Sequence, residues 1–364
     1  MEILNDEYYM RLALNTAKGA AGQTGINPAV GCVVVNDGRI VGIGAHLRRG
    51  EAHAEVHALD MAGERARGGT AYVTLEPCSH HGRTPPCCER LIREGVARVV
   101  VATLDPNPVV AGRGVARLRE AGIAAEVGLL GDESTRLNEA FNKYIQTGLP
   151  FVTIKTALTL DGKLAARTGH SKWITGPAAR EAVHTLRHRH DAIMVGVGTV
   201  LADDPELTTR LSVPGLHPVR IVVDSALRLP DSARVLGAEA PTLVLTTAAA
   251  PAERAERIRG LGAEVIVCGD GPRVDLAAAF AELGRREIGS VLVEGGGRLN
   301  GALIEAGLAD KLMLFYAPKI VGGEAPSAFA HEGPASMDEA LRLRDVEIER
   351  FGDDWCVTGY PAWT

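Results

Sequence analysis

An imidazole, carboxylates and thiols fall close together in this sequence as His53-Ala54-Glu55, then Glu76-Pro77-Cys78, then Cys87-Cys88. One imidazole with two thiolates is the donor set of a catalytic zinc site, where a fourth tetrahedral position stays open to water. Zinc lowers the pKa of that water to about 7, which makes hydroxide available at neutral pH. A carboxylate beside it, here Glu55, can relay the proton to a leaving amine, as the glutamate of zinc deaminases does. Residues two apart on a helix point to nearly opposite sides, so His53 and Glu55 share one site only at a helix mouth. The rival reading is a zinc that only holds the fold, but three donors plus an adjacent glutamate are a poor design for a closed site. His46, His57, His80, His81 and Cys88 compete as ligands, and Cys88 adjoins Cys87, so residue type alone leaves the third ligand open.

These residues need elements to carry them. Asp6 to Ala20 has apolar positions at helical spacing, with Asp6 as its capping residue. Ala29 to Val35 and Ile40 to Gly44 flank Asn36-Asp37-Gly38-Arg39 and read as a hairpin. A helix from about His53, a strand Thr70 to Leu75, a helix after Pro86, a strand Arg98 to Thr103 and a helix near Gly114 to Ala121 then alternate, which implies parallel neighbours covered by helices. Thr147-Gly148-Leu149-Pro150 punctuates the pattern, so domains are expected at 1–148 and 149–364.

The second part alternates again. Strands are expected at Phe151 to Leu158, Ala192 to Val197, Val219 to Asp224, Thr242 to Thr246, Glu264 to Val267 and Ser290 to Glu294. Helices are expected from Pro177, at Pro251 to Leu261 and at Asp275 to Glu287, giving an α/β domain with a mostly parallel sheet. It has no metal-ligand spacing and no Gly-x-Gly-x-x-Gly after its first strand. Instead Ser290-Val291-Leu292-Val293-Glu294 runs into Gly295-Gly296-Gly297-Arg298-Leu299-Asn300, a strand-to-helix turn whose amides can hold a phosphate, although a tight turn explains the glycines as well. Arg187-His188-Arg189-His190 is either a phosphate contact or a solvated helix face. Glu324 to Thr364 carries no motif.

His53-Ala54-Glu55 with Pro77-Cys78 and Cys87 resembles the cytidine-deaminase superfamily, except that eight residues separate the cysteines here in place of the common two. Glu76-Pro77-Cys78-Ser79-His80-His81-Gly82-Arg83-Thr84-Pro85-Pro86-Cys87 is similar to the signature of the bifunctional riboflavin-biosynthesis deaminase/reductases. In that family the cysteine closing Thr-Pro-Pro-Cys is the ligand, which favours His53, Cys78 and Cys87 for zinc. The resemblance implies a diaminopyrimidinone substrate carrying a ribose phosphate. Asn27, His46, His80, Arg83, Asp105 and Asn107 match the family's substrate contacts, although Asn27-Pro28 and Asp105-Pro106-Asn107-Pro108 are equally plain turn sequences.

Lys155-Thr156-Ala157-Leu158-Thr159-Leu160-Asp161-Gly162-Lys163, Ser171-Lys172-Trp173-Ile174-Thr175, Gly196 to Pro205 and Val223-Asp224-Ser225 resemble the same family's reductase half. That half is dihydrofolate-reductase-like and uses NADPH, and the first is a cytidine-deaminase-like three-layer α/β/α domain. The resemblance sets Ala157, Trp173, Thr199, Asp203, Ser225 and the run Gly296, Gly297, Arg298, Leu299, Asn300, Gly301 and Ala302 against the cofactor. It sets Ser171, Arg187, Leu207, Arg210 and Glu294 against the substrate. Lys155 and Glu294 are candidates for polarising or protonating the sugar, with a strand-end ion pair as the alternative. Trp173 and Leu207 are equally candidates for the core. The family also implies a homo-oligomer.

Composition bounds these expectations. At 364 residues the chain exceeds the size at which one core stops growing, about 250–300 residues, so two domains are expected. A formal net charge of −6 disfavours a nucleic-acid partner and with it a tRNA deaminase, leaving small-molecule substrates. Two rivals remain: a zinc nucleoside deaminase with a fused accessory domain, which leaves the eight-residue cysteine spacing unexplained, and a non-enzymatic zinc and nucleotide-binding protein, against which Glu55 discriminates. Met1 to Tyr9 lacks the pattern of a signal peptide and no apolar run reaches spanning length, so a cytoplasmic protein with no membrane partner is expected. Crowding of Cys78, Cys87 and Cys88 suits metal better than disulfides, while Cys32, Cys268 and Cys356 read as inert buried thiols.

Overall fold

The computed structural model describes residues 3–79, 85–108 and 110–363. It contains two compact units, Met1–Gly148 and Leu149–Thr364. Among the described residues no helix is long and apolar enough to cross a membrane.

In the first unit the elements are α1 (Asp6–Gly19), β1 (Gly31–Asn36), β2 (Arg39–Ala45), α2 (Ala54–Ala62), β3 (Thr70–Leu75), α3 (Cys87–Glu94), β4 (Arg98–Thr103), α4 (Arg113–Glu120), β5 (Ala124–Val127), α5 (Gly131–Leu137) and α6 (Glu139–Thr147). The sheet order is β2-β1-β3-β4-β5. β1 runs antiparallel to β2 and β3, and β3, β4 and β5 are mutually parallel. Asp37 and Gly38 both take positive φ, 48° and 71°, as a two-residue hairpin turn requires. One sheet face packs Val33, Tyr72 and Val100 under Met10 and Leu14 of α1. The other packs Val34, Val73 and Val99 under Leu59, Leu91 and Leu118 of α2, α3 and α4, giving three α/β/α layers.

Two details position the site. A Cβ on Gly42 would stand 2.0 Å from the Ala58 carbonyl and one on Gly44 2.3 Å from that of Ala54, so only glycines let α2 lie this close to β2. The cap of α1 is Asn5, whose Oδ1 accepts the Tyr8 N–H at 3.0 Å, and not Asp6 as the sequence suggests. Asp6 turns away to Arg98, at 2.7 and 2.9 Å, and accepts the Tyr72 hydroxyl at 2.6 Å, because a charged fork outcompetes a backbone amide for a carboxylate.

The second unit contains β6 (Phe151–Thr159), α7 (Pro177–Arg189), β7 (Ala192–Gly196), α8 (Val197–Asp203), β8 (Val219–Val223), β9 (Thr242–Thr246), α9 (Ala252–Gly260), β10 (Glu264–Val267), α10 (Leu276–Arg285), β11 (Ser290–Val293), α11 (Gly297–Glu305), β12 (Lys311–Ala317), β13 (Leu343–Phe351) and β14 (Asp354–Pro361). Its nine-stranded sheet runs β10-β9-β8-β7-β11-β6-β12-β14-β13. All neighbours from β10 to β12 are parallel, and the motif-free terminal segment supplies the antiparallel hairpin β13–β14. Parallel strands buried on both faces explain the near-continuous apolar runs of β7, β8 and β9. The carboxyl ends of β6, β11, β7 and β8 therefore lie side by side, where open α/β sheets form their clefts.

Candidate active sites

His53 is the N-cap of α2, in extended backbone with φ −76° and ψ 164°. Glu55 follows in the first turn and is 3% exposed. Cys78 lies just beyond β3, and Cys87 opens α3. His53 Nδ1 is 3.6 Å from Cys78 Sγ and 3.3 Å from Cys87 Sγ, and the three donor atoms lie within 4.8 Å of one another. Tetrahedral zinc bonds would hold such donors roughly 3.5–3.8 Å apart, so the set fits that ion. The Cys87 N–H also donates to Cys78 Sγ at 3.2 Å. A hydrogen bond from Cys87 lowers the Cys78 thiol to about 4 against the effect of burial, while Cys87 itself is driven up. A half-buried and a buried sulfur thus lie against one imidazole, an arrangement that suits a thiophilic dication.

Cys88 turns the other way, into the core with Leu91 and Val115, and His46 and His57 also stand outside the three-donor set. Cys87→Ser is accordingly expected to lose bound zinc and Cys88→Ala to keep it, measured as metal content of purified protein. Zinc retained by the first and lost by the second would transfer the ligand to Cys88.

A cavity of about 250 Å³ opens beside these donors, lined by Asn27, His46, Glu55, Asp105 and Asn107 and closed by Phe141 and Ile145. Burial, helped by the Cys78 thiolate, raises the Glu55 carboxyl to about 7. His46 Nδ1 is 3.2 Å from the Ala52 carbonyl and Nε2 is 3.2 Å from Asn27 Nδ2. Burial lowers its pKa, so the neutral ring donates to Ala52 and accepts from Asn27, a tautomer assigned from these partners. Asn138 grips Ala29 as a strand would, accepting from its N–H at 2.8 Å and donating to its carbonyl at 3.1 Å, which fixes the Asn27 turn. His80 and Arg83 lie outside the described residues.

Sequence reasoning missed the role of Glu76. Its buried carboxylate accepts four backbone N–H groups, from Asp105 at 3.1 Å, Gly112 at 2.8 Å, Gly114 at 2.8 Å and Val115 at 3.2 Å. It thereby caps α4 and ties down the loop bearing Asp105 and Asn107, whose own turn closes with Asn107 N–H on Asp105 Oδ1 at 2.8 Å. The available signal is that Gly112 at the start of α4 has no side chain to cap it, so the orphan amides need an acceptor from elsewhere.

In the second unit, β11 pairs with β6 so that Glu294 and Lys155 emerge side by side, with Lys155 Nζ 3.7 Å from Glu294 Oε2. Arg187 of α7 grips the same carboxylate bidentately at 2.6 and 3.0 Å and donates to the Thr208 carbonyl at 2.9 Å. Burial alone would raise Glu294, but Arg187 and Lys155 outweigh it and hold the carboxyl at about 2. Burial lowers Lys155, against the pull of Glu294. Arg210 lies on the adjoining loop, donating to Glu206 and to Thr208 Oγ1, each at 3.1 Å. Leu207 is a core residue beside Val195 and Val222 and is 2% exposed.

Next to this cluster runs a cleft of about 1050 Å³, lined by Ser171, Thr199, Asp203, Ser225, Gly296, Gly297, Arg298, Leu299 and Ala302. At Gly196, Gly198 and Gly296 an added Cβ would meet nothing within 4 Å, so these backbone stretches are bare toward a ligand. Gly296 caps α11 without any side chain, leaving amides for an anion. Asn300 and Gly301 serve packing: Asn300 Nδ2 donates to the Ala328 carbonyl at 3.0 Å, and a Cβ on Gly301 would stand 2.8 Å from the Ala330 carbonyl. Ala157 is half-buried on β6. Trp173 is 65% exposed, with the Arg180 guanidinium 4.7 Å from its ring centre, so it is no core residue.

Comparison with known proteins matches residues 4–103 to the cytidine and deoxycytidylate deaminase zinc-binding region and residues 150–357 to the RibD C-terminal domain. The riboflavin biosynthesis protein RibD of Bacillus amyloliquefaciens is 45% identical over 98% of this chain and 96% of its own length. That of Escherichia coli K12 is 45% identical over 97% and 99%. The RibD structure from Acinetobacter baumannii superposes with a TM-score of 0.88 at 38% identity, covering 98% of this chain and 99% of that one. A diaminohydroxyphosphoribosylaminopyrimidine deaminase/5-amino-6-(5-phosphoribosylamino)uracil reductase from Thermotoga maritima gives 0.86 at 37% identity over 98% and 99%.

Proposed function

From the premise that this chain belongs to the RibD family, the bifunctional zinc- and NADPH-dependent deaminase/reductases of riboflavin biosynthesis, we propose how its residues divide the work. Residues 1–148 carry the hydrolytic deamination of 2,5-diamino-6-ribosylamino-4(3H)-pyrimidinone 5′-phosphate. Residues 149–364 carry the reduction of the ribosyl group of 5-amino-6-(5-phosphoribosylamino)uracil to ribityl. The observation that carries the reading is the convergence of His53, Cys78 and Cys87 on one point beside the buried Glu55.

Bound by His53, Cys78 and Cys87, zinc supplies the acidity that makes water a nucleophile at neutral pH. Glu55 is placed to accept a proton from the attacking water as the C–O bond would form and then to give it to the amine nitrogen, so that the C–N bond would break with ammonia as the leaving group. Its carboxyl near 7 suits both halves of that transfer. Asn27, oriented by neutral His46, reads the heterocycle edge together with Asp105 and Asn107. His80 and Arg83 are assigned to the ribose phosphate by resemblance.

In the second unit NADPH supplies the hydride when bound in the glycine-lined cleft, where the bare backbone at Gly196 and Gly296 and the uncapped start of α11 fit a dinucleotide. Lys155 faces the sugar as the hydrogen-bond donor. Glu294 stays ionised, which removes it as a proton donor and makes it the group that holds Lys155 and Arg187. Ser171, Arg210 and the backbone of Leu207 are assigned to the substrate. Small molecules are the partners, no nucleic acid is involved, and the chain assembles with copies of itself. Incubating the purified protein with the diaminopyrimidinone should release ammonia with or without NADPH and yield ribityl product only with it. NADPH oxidation that ignores the deaminated product would overturn the division.

A further inference from the structure

A stretch of irregular backbone, residues 204–218, joins α8 to β8 and brings Thr208 and Arg210 to the charged cluster around Glu294. It contains no helix or strand of its own to hold it in place. Three of its main-chain N–H groups end instead on histidine rings. The Arg210 N–H donates to His184 Nδ1 at 3.2 Å, the Leu216 N–H to His188 Nδ1 at 3.0 Å and the Thr209 N–H to His217 Nδ1 at 3.2 Å. The loop doubles back between these points, since a Cβ on Gly215 would stand 2.9 Å from Thr209 Cγ2 and 3.4 Å from His188 Nδ1.

His184 and His188 lie one turn apart on α7, on the face that also carries Arg187. A main-chain N–H can only donate, so each of the three Nδ1 atoms is unprotonated and each neutral ring carries its proton on Nε2. His190, in the same basic run, is the reverse case, with Nδ1 2.7 Å from the Leu186 carbonyl and therefore protonated. His184 meets charged groups from each element around it: Arg187 on α7, Arg210 on the loop, Lys155 on β6 and Glu294 at the end of β11. Burial first, and then the two arginines, lowers its pKa to about 4, which leaves the ring neutral at physiological pH. A neutral acceptor is what this place requires. A carboxylate there would pair with Arg187 or Arg210 and repel a ribose phosphate, and a cationic side chain could not accept the N–H.

Resting on the reading that this loop meets the sugar phosphate of the reductase substrate, we infer that His184, with His188 and His217 beside it, is a positioning residue whose unprotonated Nδ1 fixes the Arg210 main chain, and so aims the Arg210 guanidinium and keeps Thr208 against Arg187. The three rings do for an irregular loop what a ladder does for a strand: they satisfy its amides and set its course, without adding a charge that the substrate would have to overcome.

The test is steady-state reduction of 5-amino-6-(5-phosphoribosylamino)uracil by the full-length protein. Arg210→Gln examines the underlying reading and should raise KM for the sugar phosphate. An unchanged KM there would mean that the loop does not meet the substrate, a separate failure that takes the inference with it. His184→Leu examines the inference itself, because leucine fills the space of the ring and accepts nothing. KM for the sugar phosphate should rise roughly tenfold, with kcat and the KM for NADPH within about twofold of wild type. His184→Asn, whose Oδ1 falls where Nδ1 stood, should bring KM back to near the wild-type value. With Arg210→Gln impaired, an unchanged KM in His184→Leu, or a His184→Asn protein as impaired as His184→Leu, would overturn the inference. The ¹⁵N resonances of histidine-labelled wild type give a readout independent of turnover. The ring whose signals vanish in His184→Asn should be neutral, with Nδ1 unprotonated, from neutral pH down to about 4. A proton on that Nδ1 at neutral pH would equally overturn the assignment.

Discussion

Glu55→Gln is expected to retain its zinc and its affinity for the diaminopyrimidinone while ammonia release falls by roughly 10²–10⁴-fold, the range a positioned acid–base group contributes. Gln keeps the shape and hydrogen-bonding capacity of the side chain but cannot accept and return a proton. The effect therefore belongs in kcat with KM nearly unchanged, because the loss is confined to the transition state. His53, Cys78 and Cys87 are untouched by the change, so metal content is the control. A zinc that only holds the fold predicts full zinc and no change in ammonia, and that result would remove Glu55 from the mechanism. The reductase, measured on pre-formed deaminated substrate, should proceed at the wild-type rate.

The donors of this site were legible because metal chemistry restricts residue types. No other arrangement of one histidine, two cysteines and a neighbouring glutamate at these places makes comparable sense. Their geometry was legible only conditionally: sharing a site demanded that His53 and Glu55 sit at a helix mouth, and His53 is the cap of α2. Which of Cys87 and Cys88 faces the donors is set by the helical phase of α3, and adjacent positions are separated by a rotation that composition does not encode. The alternation of strands and helices and the Asp37-Gly38 hairpin followed from local periodicity and turn chemistry.

What local pattern does not record is partnership at long range. Glu76 acts on amides at positions 105 to 115, and Asn138 on Ala29, through contacts no window of sequence contains. The hairpin β13–β14 escaped for the opposite reason. In Leu343–Phe351 only Val346 and Ile348 alternate with charged neighbours, a stretch too short to stand out beside the buried strands, and both of these apolar side chains stay exposed. The glycine run misleads in part as well, since Gly301 is required by the Ala330 carbonyl and not by a ligand.

Lys155→Met is expected to cut ribityl formation by roughly 10²–10³-fold, the loss typical of removing one preorganised donor from a site where charge develops, with ammonia release unaffected. Glu294→Gln separates the two partners. Its carboxyl is held at about 2 against an ordinary 4.5, so folding favours the ionised form. The stabilisation from that shift is present above the unfolded value and fades as pH falls toward 2. Removing the charge leaves Arg187 and Lys155 as buried cations with no shared anion, which costs about 3–5 kcal/mol and lowers the melting temperature at neutral pH. It also withdraws the one carboxylate that favours the Lys155 proton, while burial and Arg187 continue to disfavour it. The alkaline limb of the reductase pH profile must therefore move to lower pH in Glu294→Gln, and at a pH below the new limb the rate should recover substantially. A rate that stays low at every pH, with the limb where wild type has it, would mean that Glu294 itself meets the substrate and that Lys155 is not the titrating donor.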